Sequence, residues 1–220
     1  MPKSAKKLRS NPAWIERHIN DPFVKKSKAE GYRARSAYKL LELNEKEKLF
    51  RPGITVVDLG SAPGSWTQVA RSKMVNAAGK FSGHLVAMDI LPMEPVPDAV
   101  FLQGDFREQE VADQLSALLA DGKVDVVLSD MAPNLSGIPA VDAAASLLLN
   151  ELALEFALEH LCENGVLVVK AFQGSGYSQF IETVKRHFKS VSQRKPEASR
   201  DTSPEMYVVA KSLKHGGGVS

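Results

Sequence analysis

The stretch from residue 54 to residue 66 constrains the fold of this chain more than any other part of the sequence. A β-branched run, 54–57, predicts a strand that ends at Asp58, and a helical pattern begins a few residues later. Gly60 and Gly64 allow the backbone between them to turn tightly and to approach a ligand closely. A strand, a glycine loop and a helix N-terminus together hold adenosine-bearing cofactors in open α/β sheets. The stretch therefore predicts an α/β fold with a nucleoside site after its first strand.

The glycine loop departs from the dinucleotide-binding pattern G-x-G-x-x-G. Pro63 and Gly64 occupy the positions where the later glycines of that pattern are expected. This difference argues against a bound pyrophosphate and favours a nucleoside without one. An ordinary strand-to-helix turn, with glycines required only by its geometry, is the alternative interpretation of the loop by itself.

The composition limits the class of protein. With 220 residues, of which 44% are hydrophobic, the chain is long enough for one α/β domain and a short extension. No apolar run approaches the roughly 18 residues of a membrane span, and no apolar segment follows the basic N-terminus as in a secretory signal. Cys162 is the only cysteine, and the five histidines show no metal-ligand spacing. We expect a cytoplasmic protein with neither a disulfide nor a metal site.

The charge is distributed unevenly along the chain. The net charge is only +2, but residues 1–39 contain 11 Lys/Arg and three acids, which leaves 17 basic and 23 acidic residues in the remainder. A basic segment before an acidic body indicates a polyanionic partner. Trp14, Phe23 and Tyr32 lie among these cations, and such a mixture suits stacking on nucleobases. A solubilising tail or a targeting peptide is the alternative.

The apolar periodicity predicts an alternation of strands and helices. A helix over 36–50, with Ser36 as its N-cap, precedes the first strand. The predicted strands are 54–58, 84–89, 99–103, 124–130 and 165–169, and the helices among them are 65–77, 107–120, 140–161 and 176–188. Two last strands, 190–194 and 206–211, follow each other without a helix. Several prolines and a glycine in residues 1–35 predict irregular or partly ordered structure there.

This order predicts a doubly wound, Rossmann-like fold. Its sheet has seven strands and is mostly parallel, with an antiparallel edge strand formed by the final hairpin. We expect three parts in the chain, namely a basic extension over 1–35, one domain over 36–212 and a flexible tail over 213–220.

An ionisable residue ends or follows each of the five parallel strands. These residues are Asp58, Asp89, Asp105, Asp130 and Lys170. Because ligands of open α/β sheets bind beyond the carboxyl ends of the strands, we expect these side chains to converge on one crevice. Asp89 ends the second strand, where nucleoside-binding folds place a carboxylate for ribose hydroxyls. A helix N-cap or a loop anchor is the alternative role for each carboxylate.

Five short motifs resemble those of the FtsJ-type RNA ribose 2′-O-methyltransferases, class I enzymes that use S-adenosylmethionine. In this sequence they are SAYKL at 36–40, DLGSAPGSW at 58–66, DMAPN at 130–134, VVK at 168–170 and SPEMY at 203–207. They follow one another in the family's order and extend across the predicted domain, which the resemblance makes the catalytic domain. Ser65 departs from the pattern, since many members have a second glycine there, and we expect its hydroxyl to cap the following helix.

The resemblance implies a set of site residues. The catalytic set of the family maps onto Lys39, Asp130, Lys170 and Glu205. For S-adenosylmethionine, the resemblance implies contacts from the loop residues Gly60, Ala62, Pro63, Gly64 and Trp66 and from the carboxylates Asp58, Asp89, Asp105 and Asp130. Asp89 is expected to accept hydrogen bonds from the ribose hydroxyls and Asp105 from the adenine amino group.

The resemblance also implies a substrate. The closest similarity is to members that methylate a uridine in the A-loop of 23S rRNA in the large ribosomal subunit. We therefore expect a monomer that acts on this RNA within the assembled or assembling subunit. The basic extension over 1–35 is expected to bind RNA, and no membrane is implied.

The chemistry of methyl transfer is consistent with such a set. Transfer from a sulfonium is an in-line displacement, so positioning and removal of the acceptor's proton matter most. A lysine accepts a proton only when neutral, which requires burial or a second cation to lower its pKa. Lys39 is expected to have that effect on Lys170, whereas Asp130 keeps Lys170 charged. Two roles remain open for Lys170, proton acceptor or hydroxyl-orienting cation, with Asp130, Lys39 and Glu205 placing it.

Other functions share parts of this pattern. A tRNA or mRNA-cap ribose methyltransferase has the whole catalytic set, and only its substrate-binding elements differ. A small-molecule methyltransferase has the cofactor half but no need of a basic extension. A nicotinamide dehydrogenase needs an intact G-x-G-x-x-G. A non-catalytic RNA-binding protein retains the basic segment but has no need of ionisable residues at every strand end.

Overall fold

A computed structural model describes residues 19–119, 122–134 and 136–214 of the chain. The strands of this part are β1 (Ile54–Leu59), β2 (Gly83–Asp89), β3 (Ala99–Gln103), β4 (Val124–Ser129), β5 (Leu161–Phe172), β6 (Phe188–Arg194) and β7 (Glu205–Leu213). All of them belong to one sheet, in the order β3-β2-β1-β4-β5-β7-β6. The predicted doubly wound α/β fold is confirmed.

Helices cover both faces of the sheet. In the described residues they are α1 (Pro22–Ala29), α2 (Ala37–Glu47), α3 (Ser65–Lys73), α4 (Gln109–Ala117), α5 (Pro139–His160) and α6 (Tyr177–His187). One buried apolar cluster joins α2 and α3 to the sheet, and a second joins α4, α5 and α6 to its other face. None of these helices combines the length and the apolarity that crossing a membrane requires.

The strands carry continuous apolar runs because both faces are buried. Successive side chains of a strand point to opposite faces, so Val56 belongs to the cluster with α2 and α3 and Val57 to the other. The same alternation directs the polar residues at the strand ends. Lys170 follows Val168 by two positions and therefore emerges on the face that α2 and α3 cover.

The order of the strands reverses between β1 and β4. The first strand pairs in parallel with β2 on one side and with β4 on the other. In open α/β sheets a crevice forms at such a reversal, beyond the carboxyl ends of the strands. The fold thus brings the residues that follow β1, β2 and β4 to the edges of one crevice.

The last two strands form the predicted hairpin at the edge of the sheet. The strand that runs against its neighbours is β7, which pairs with β5 on one side and with β6 on the other. The outer strand of the hairpin is therefore β6, and β7 lies between it and the parallel strands. In this register Lys170 is opposite Tyr207, and Phe172 is opposite Glu205.

Several boundaries differ from the predicted ones. The third helix ends at Lys73 rather than at residue 77, because the chain folds back and pairs Val75 with Phe81 in a short antiparallel bridge. The fourth helix is Gln109–Ala117 rather than 107–120, and β5 is longer at both ends than the predicted strand 165–169. Local sequence signals define the centres of these elements better than their ends.

The prediction of irregular structure before residue 36 is wrong for Pro22–Ala29, which forms α1. Asp21 caps this helix, since its Oδ1 accepts a hydrogen bond from the Phe23 N–H (3.0 Å). Pro22 occupies the first turn, where a missing N–H and a fixed φ suit a helix start. The proline that was expected to break structure thus begins a helix. Residues 1–18 of the extension and 215–220 of the predicted tail lie outside the described residues.

Candidate active site

The loop after β1 makes close contact with the residues that follow β4. Gly60 has a φ of +75°, and a Cβ atom placed on it would lie 2.7 Å from Met131 Cγ and 2.8 Å from Met131 Cα. The Asp130 N–H also donates to the carbonyl of Leu59 (3.1 Å). Only a glycine fits between these two segments. The predicted cofactor loop and the DMAPN motif therefore meet at the crevice.

Neither of the two serines that were expected to cap helices makes a capping bond: Ser36 occupies the predicted N-cap position of α2, whereas the predicted cap at Ser65 is wrong. Ser36 lies in right-handed helical geometry without a capping bond, and Gly64, in left-handed geometry, precedes α3 in place of Ser65. The Ser36 and Ser65 hydroxyls contact each other (2.9 Å). Trp66 Nε1 donates to the Ser36 carbonyl (2.9 Å), and its ring is buried in the apolar core. Tertiary contacts between α2 and α3 have replaced the caps.

Asp58 is fully buried at the end of β1. Its Oδ2 accepts a hydrogen bond from Thr67 Oγ1 (2.6 Å), whereas its Oδ1 has no partner among the described residues. Burial raises the pKa of Asp58 to about 7, and the charges of Asp130 and Asp89 act in the same direction, while the Thr67 bond opposes them. A carboxyl group with one unsatisfied oxygen thus lies near the carboxyl end of β1, close to the glycine loop.

The carboxylates that end β2 and follow β3 both anchor loops, and Asp89 also bonds to the glycine loop. Asp89 Oδ2 accepts from the Ala62 N–H and its Oδ1 from the Leu91 N–H, each at 2.8 Å. Asp105 accepts from the guanidinium of Arg107 (2.6 Å to Oδ2), and this bond holds the pKa of Asp105 below its usual value. Each carboxylate therefore acts as a loop anchor, and their expected contacts with ribose and adenine stay predictions.

Lys170 lies near the carboxyl end of β5 and contacts Asp130 twice. Its Nζ donates to the Asp130 carbonyl at 2.6 Å and lies 3.1 Å from Asp130 Oδ1. Tyr207, opposite Lys170 on β7, donates its hydroxyl to the same Oδ1 (2.9 Å). These contacts fix the orientation of the Asp130 carboxylate.

Lys39 reaches the same place from α2. Its Nζ donates to Glu205 Oε1 at 2.5 Å and lies 5.7 Å from the centre of the Tyr207 ring. Although burial acts to raise the pKa of Glu205, the charge and hydrogen bond of Lys39, together with the charge of Lys170, hold it below its usual value. We call Lys39, Asp130, Lys170 and Glu205 the lysine–carboxylate cluster. The structure thus brings together all four residues of the expected catalytic set, although Lys39 pairs with Glu205 rather than acting on Lys170 alone.

Sequence reasoning assigned no role to Tyr207, which lies at the centre of this cluster. The residue is fully buried, its ring contacts Trp66, and burial beside Asp130 raises the pKa of its hydroxyl well above the usual value. A signal was available, because Tyr207 follows Glu205 by two positions on a strand and therefore faces the same side.

The described residues contain no group of three or more histidine, cysteine or acidic side chains arranged to hold a metal ion.

A doubly wound sheet, a glycine loop at its reversal point and a lysine–carboxylate cluster beside that loop define an α/β enzyme of the methyltransferase class. The sequence model of one family, described as FtsJ-like methyltransferase, matches residues 32–213, and the chain belongs to this family.

Curated relatives and a solved structure agree with this assignment. The chain is 53% identical over 219 residues to ribosomal RNA large subunit methyltransferase E of Ralstonia nicotianae, and the alignment covers 96% of this chain and 99% of the relative. It is 56% identical over 201 residues to the protein of the same name from Bordetella pertussis, with 91% and 96% covered. A crystal structure described as a ribosomal RNA methyltransferase, from Plasmodium falciparum, superposes with a TM-score of 0.72 at 29% identity and covers 83% of this chain and 98% of that one.

Proposed function

We propose that this protein transfers a methyl group from S-adenosylmethionine to a ribose 2′-hydroxyl in large-subunit ribosomal RNA, at a uridine of the A-loop of 23S rRNA. The observation that carries the proposal is the lysine–carboxylate cluster, with two ammonium groups and two carboxylates around Tyr207 beside the glycine loop. The curated relatives, which are named for methylation of large-subunit ribosomal RNA, support the choice of substrate. We also propose that it acts in the cytoplasm as a monomer.

The residues at the crevice fit this cofactor. The close contact of Gly60 with Met131 leaves no room for a side chain at position 60 of the loop. The buried Oδ1 of Asp58 lacks a hydrogen-bond donor among the described residues. An acidic crevice suits a ligand with hydroxyl groups, an amino group and a positive charge. The residues that would hold it are Asp58, Gly60, Ala62, Pro63, Gly64, Trp66, Asp89, Asp105 and Asp130. When bound, S-adenosylmethionine supplies a methyl group on a sulfonium, a strong electrophile.

The protein's own task is to place the ribose hydroxyl and to manage its proton. Two valences of Lys170 Nζ point to oxygens of Asp130, which leaves a third for the substrate. In an ammonium group the third valence is an N–H that orients the hydroxyl, and in a neutral amine it is a lone pair that takes the proton. Asp130 is itself held by Tyr207, so the direction of this third valence is fixed before substrate binds.

The test is incubation with labelled S-adenosylmethionine and large subunits from a strain that lacks the enzyme, followed by mapping of the modified sugar. We expect label on one 2′-oxygen of the A-loop, and none on RNA with a deoxyribose at that position. Free ribosomal RNA and tRNA serve as parallel substrates. Label confined to tRNA, or label on a base, would contradict the proposal.

Variants of Lys170 in the same assay test its role. General acid–base assistance typically contributes about 10²–10⁴-fold to the rate. Lys170→Ala should therefore lower kcat by at least about 10²-fold and leave cofactor affinity nearly unchanged. Lys170→Arg retains an orienting cation but accepts no proton, so its activity separates the two roles. Lys170→Ala activity within about tenfold of wild type would remove Lys170 from catalysis.

A further inference from the structure

Arg33 lies in the basic segment that was expected to bind RNA, but its guanidinium faces the protein. One terminal nitrogen donates to the carbonyls of Pro63 (3.0 Å) and Glu94 (2.6 Å), and the other to the carbonyl of Pro95 (2.8 Å). Pro63 belongs to the glycine loop, and the other two belong to the segment between β2 and β3. Arg33 therefore joins the two loops that border the crevice.

The backbone that carries Arg33 is fixed as well. Its N–H donates to Gln68 Oε1 on α3 (3.0 Å), and Gln68 Nε2 donates to the carbonyl of Gly31 (3.1 Å). Both bonds of the Gln68 amide thus go to the segment that precedes α2. The backbone of Arg33 is thus anchored on α3, beside the two loops that its guanidinium joins.

The guanidinium also packs directly on Gly64. A Cβ atom at Gly64 would lie 2.6 Å from the nearest nitrogen of Arg33 and 2.9 Å from the sulfur of Met93. The φ of Gly64 is +105°, a conformation that other residues rarely adopt. Arg33 thus occupies the space that a side chain at the last position of the loop would need.

Asp89 joins the same two loops a second time. It accepts hydrogen bonds from the N–H groups of Ala62 and Leu91. A nearly buried carboxylate and a half-buried guanidinium therefore span the gap between the glycine loop and the segment after β2. The distance between these loops sets the width of the crevice in which the nucleoside of the cofactor is proposed to bind.

The bonding pattern of Arg33 differs from that of a cation held for phosphate. Within the described ranges it forms no salt bridge, and all three of its side-chain bonds go to neutral carbonyl oxygens. The planar guanidinium of an arginine, with its several N–H groups, reaches three carbonyls on two loops at once, whereas the single amine of a lysine does not. We infer that Arg33 is a positioning residue that holds the glycine loop in the geometry that binds S-adenosylmethionine. This inference rests on the proposed use of that cofactor.

The test measures the affinity for S-adenosylmethionine by calorimetry, with full-length protein and no RNA. Since removal of a charge-assisted hydrogen bond typically weakens binding about tenfold or more, Arg33→Gln and Arg33→Lys should both raise the Kd for the cofactor by at least about that factor. At saturating cofactor and RNA, kcat should stay within about threefold, because the loop acts on binding and not on the transition state. The RNA affinity and its salt dependence should remain those of wild type.

Lys28→Gln is the matched control. Lys28 is exposed on α1 and forms no ion pair within the described part of the chain, so its loss should leave the cofactor Kd unchanged. A wild-type cofactor Kd in Arg33→Gln, combined with weaker RNA binding, would overturn the inference and make Arg33 a phosphate contact. A wild-type cofactor Kd in Arg33→Lys would also overturn the inference, because a positive charge at this position would then be enough to hold the loop. If wild-type protein itself failed to bind the cofactor, the proposed function would fail instead.

Chemical rescue supplies a check that does not depend on comparing variants. The guanidinium forms one wall of an open recess of about 410 Å³ with Pro63, Pro92, Met93 and Glu94, so a small cation in solution can reach its position. In Arg33→Ala, millimolar guanidinium should restore cofactor affinity, and ammonium at the same concentration should not. Equal affinity with and without guanidinium would count against a positioning role.

Discussion

At the scale of single residues, the lysine–carboxylate cluster consists of two nearly buried ion pairs. The exposed fractions of the four side chains lie between 10% and 19%. Burying charges costs free energy unless additional hydrogen bonds compensate, and here the Tyr207 hydroxyl and the Asp130 carbonyl supply them. Removal of one partner leaves the other charge unpaired, so conservative substitutions report on function more clearly than alanine does.

Asp58 gives the protein a pH dependence that a substitution can expose. Its pKa in the folded state, about 7, lies above its ordinary 3.8. Between these values the unfolded carboxyl has lost its proton while the folded one retains it, so raising the pH lowers stability. We predict that the stability of wild type relative to Asp58→Asn falls as the pH rises from about 5 to about 8.

Urea denaturation of both proteins without cofactor, at the two ends of that range, measures the effect. Asn retains an acceptor for Thr67 Oγ1, so the comparison isolates the titration of the carboxyl. A stability difference that stays constant with pH would contradict the prediction.

At the scale of elements, Asp21, the residue before α1, connects the start of this helix to the rest of the molecule. Besides capping α1, Asp21 accepts a hydrogen bond from Arg35 through its Oδ2 and lies 3.9 Å from Arg200. Arg35 also donates to the carbonyl of Ala198, in the segment between β6 and β7. One carboxylate thus joins the start of α1, the residues before α2 and the segment that leads to Glu205.

Two substitutions of Asp21 separate its contributions. Asp21→Asn retains an oxygen that caps α1 but loses the charge that pairs with Arg35, whereas Asp21→Ala loses both. Because the loss of a cap costs about 0.5–2 kcal/mol, we predict that stability decreases from wild type to Asp21→Asn and again to Asp21→Ala. Thermal or urea denaturation measures both steps. Equal losses in the two variants would mean that the cap contributes nothing here.

Several element-level signals were readable from the sequence, and others were not. The apolar runs of β1 and β4 indicated buried parallel strands. A strand that is buried on both faces has apolar residues at successive positions, instead of an alternation of apolar and polar residues. Ser36 occupies the predicted N-cap position, but its hydroxyl makes no capping bond, because a serine hydroxyl has several possible partners and this one contacts the Ser65 hydroxyl of α3. Pro22 was misinterpreted because a proline ends a helix or begins one according to the residue before it, here Asp21.

At the scale of the whole molecule, the convergence of Asp58, Asp130 and Lys170 was predictable, since the carboxyl ends of parallel strands meet at one edge of the sheet. Neither the central place of Tyr207 nor the bridge made by Arg33 was predictable in this way. The first depends on the insertion of β7 beside β5, and the second on the path of the extension across two loops. The spacing of Glu205 and Tyr207 indicates that they share one face of a strand, but the position of that face beside Asp130 is a property of tertiary structure, as is the bridge made by Arg33.

The uneven charge of the molecule predicts how its binding to RNA responds to salt. Of the basic residues in the extension, Lys3, Lys6, Lys7, Arg9 and Arg17 precede α1, and Arg33 and Arg35 bond to the protein. Replacing these first four with Gln in the full chain should flatten the slope of log affinity against log salt by about 0.7 for each phosphate that the protein no longer neutralises.

Equilibrium binding at several salt concentrations measures that slope, and the cofactor Kd of the same variant serves as its control. An unchanged slope would mean that these four cations bind no phosphate, and RNA binding would then have to be assigned to cations on the folded body.

The salt bridge between Lys39 and Glu205 joins positions 166 residues apart, and Tyr207 also comes from the last strand. A ribosome that adds about 5–20 residues per second needs roughly 8–33 s to proceed from the first partner to the second. Throughout that interval the emerging polypeptide lacks Glu205, and Asp130 and Lys170 are added only in its later part. The proposed catalytic cluster is therefore complete only once β7 has been translated, and a product terminated before β7 lacks both Glu205 and Tyr207.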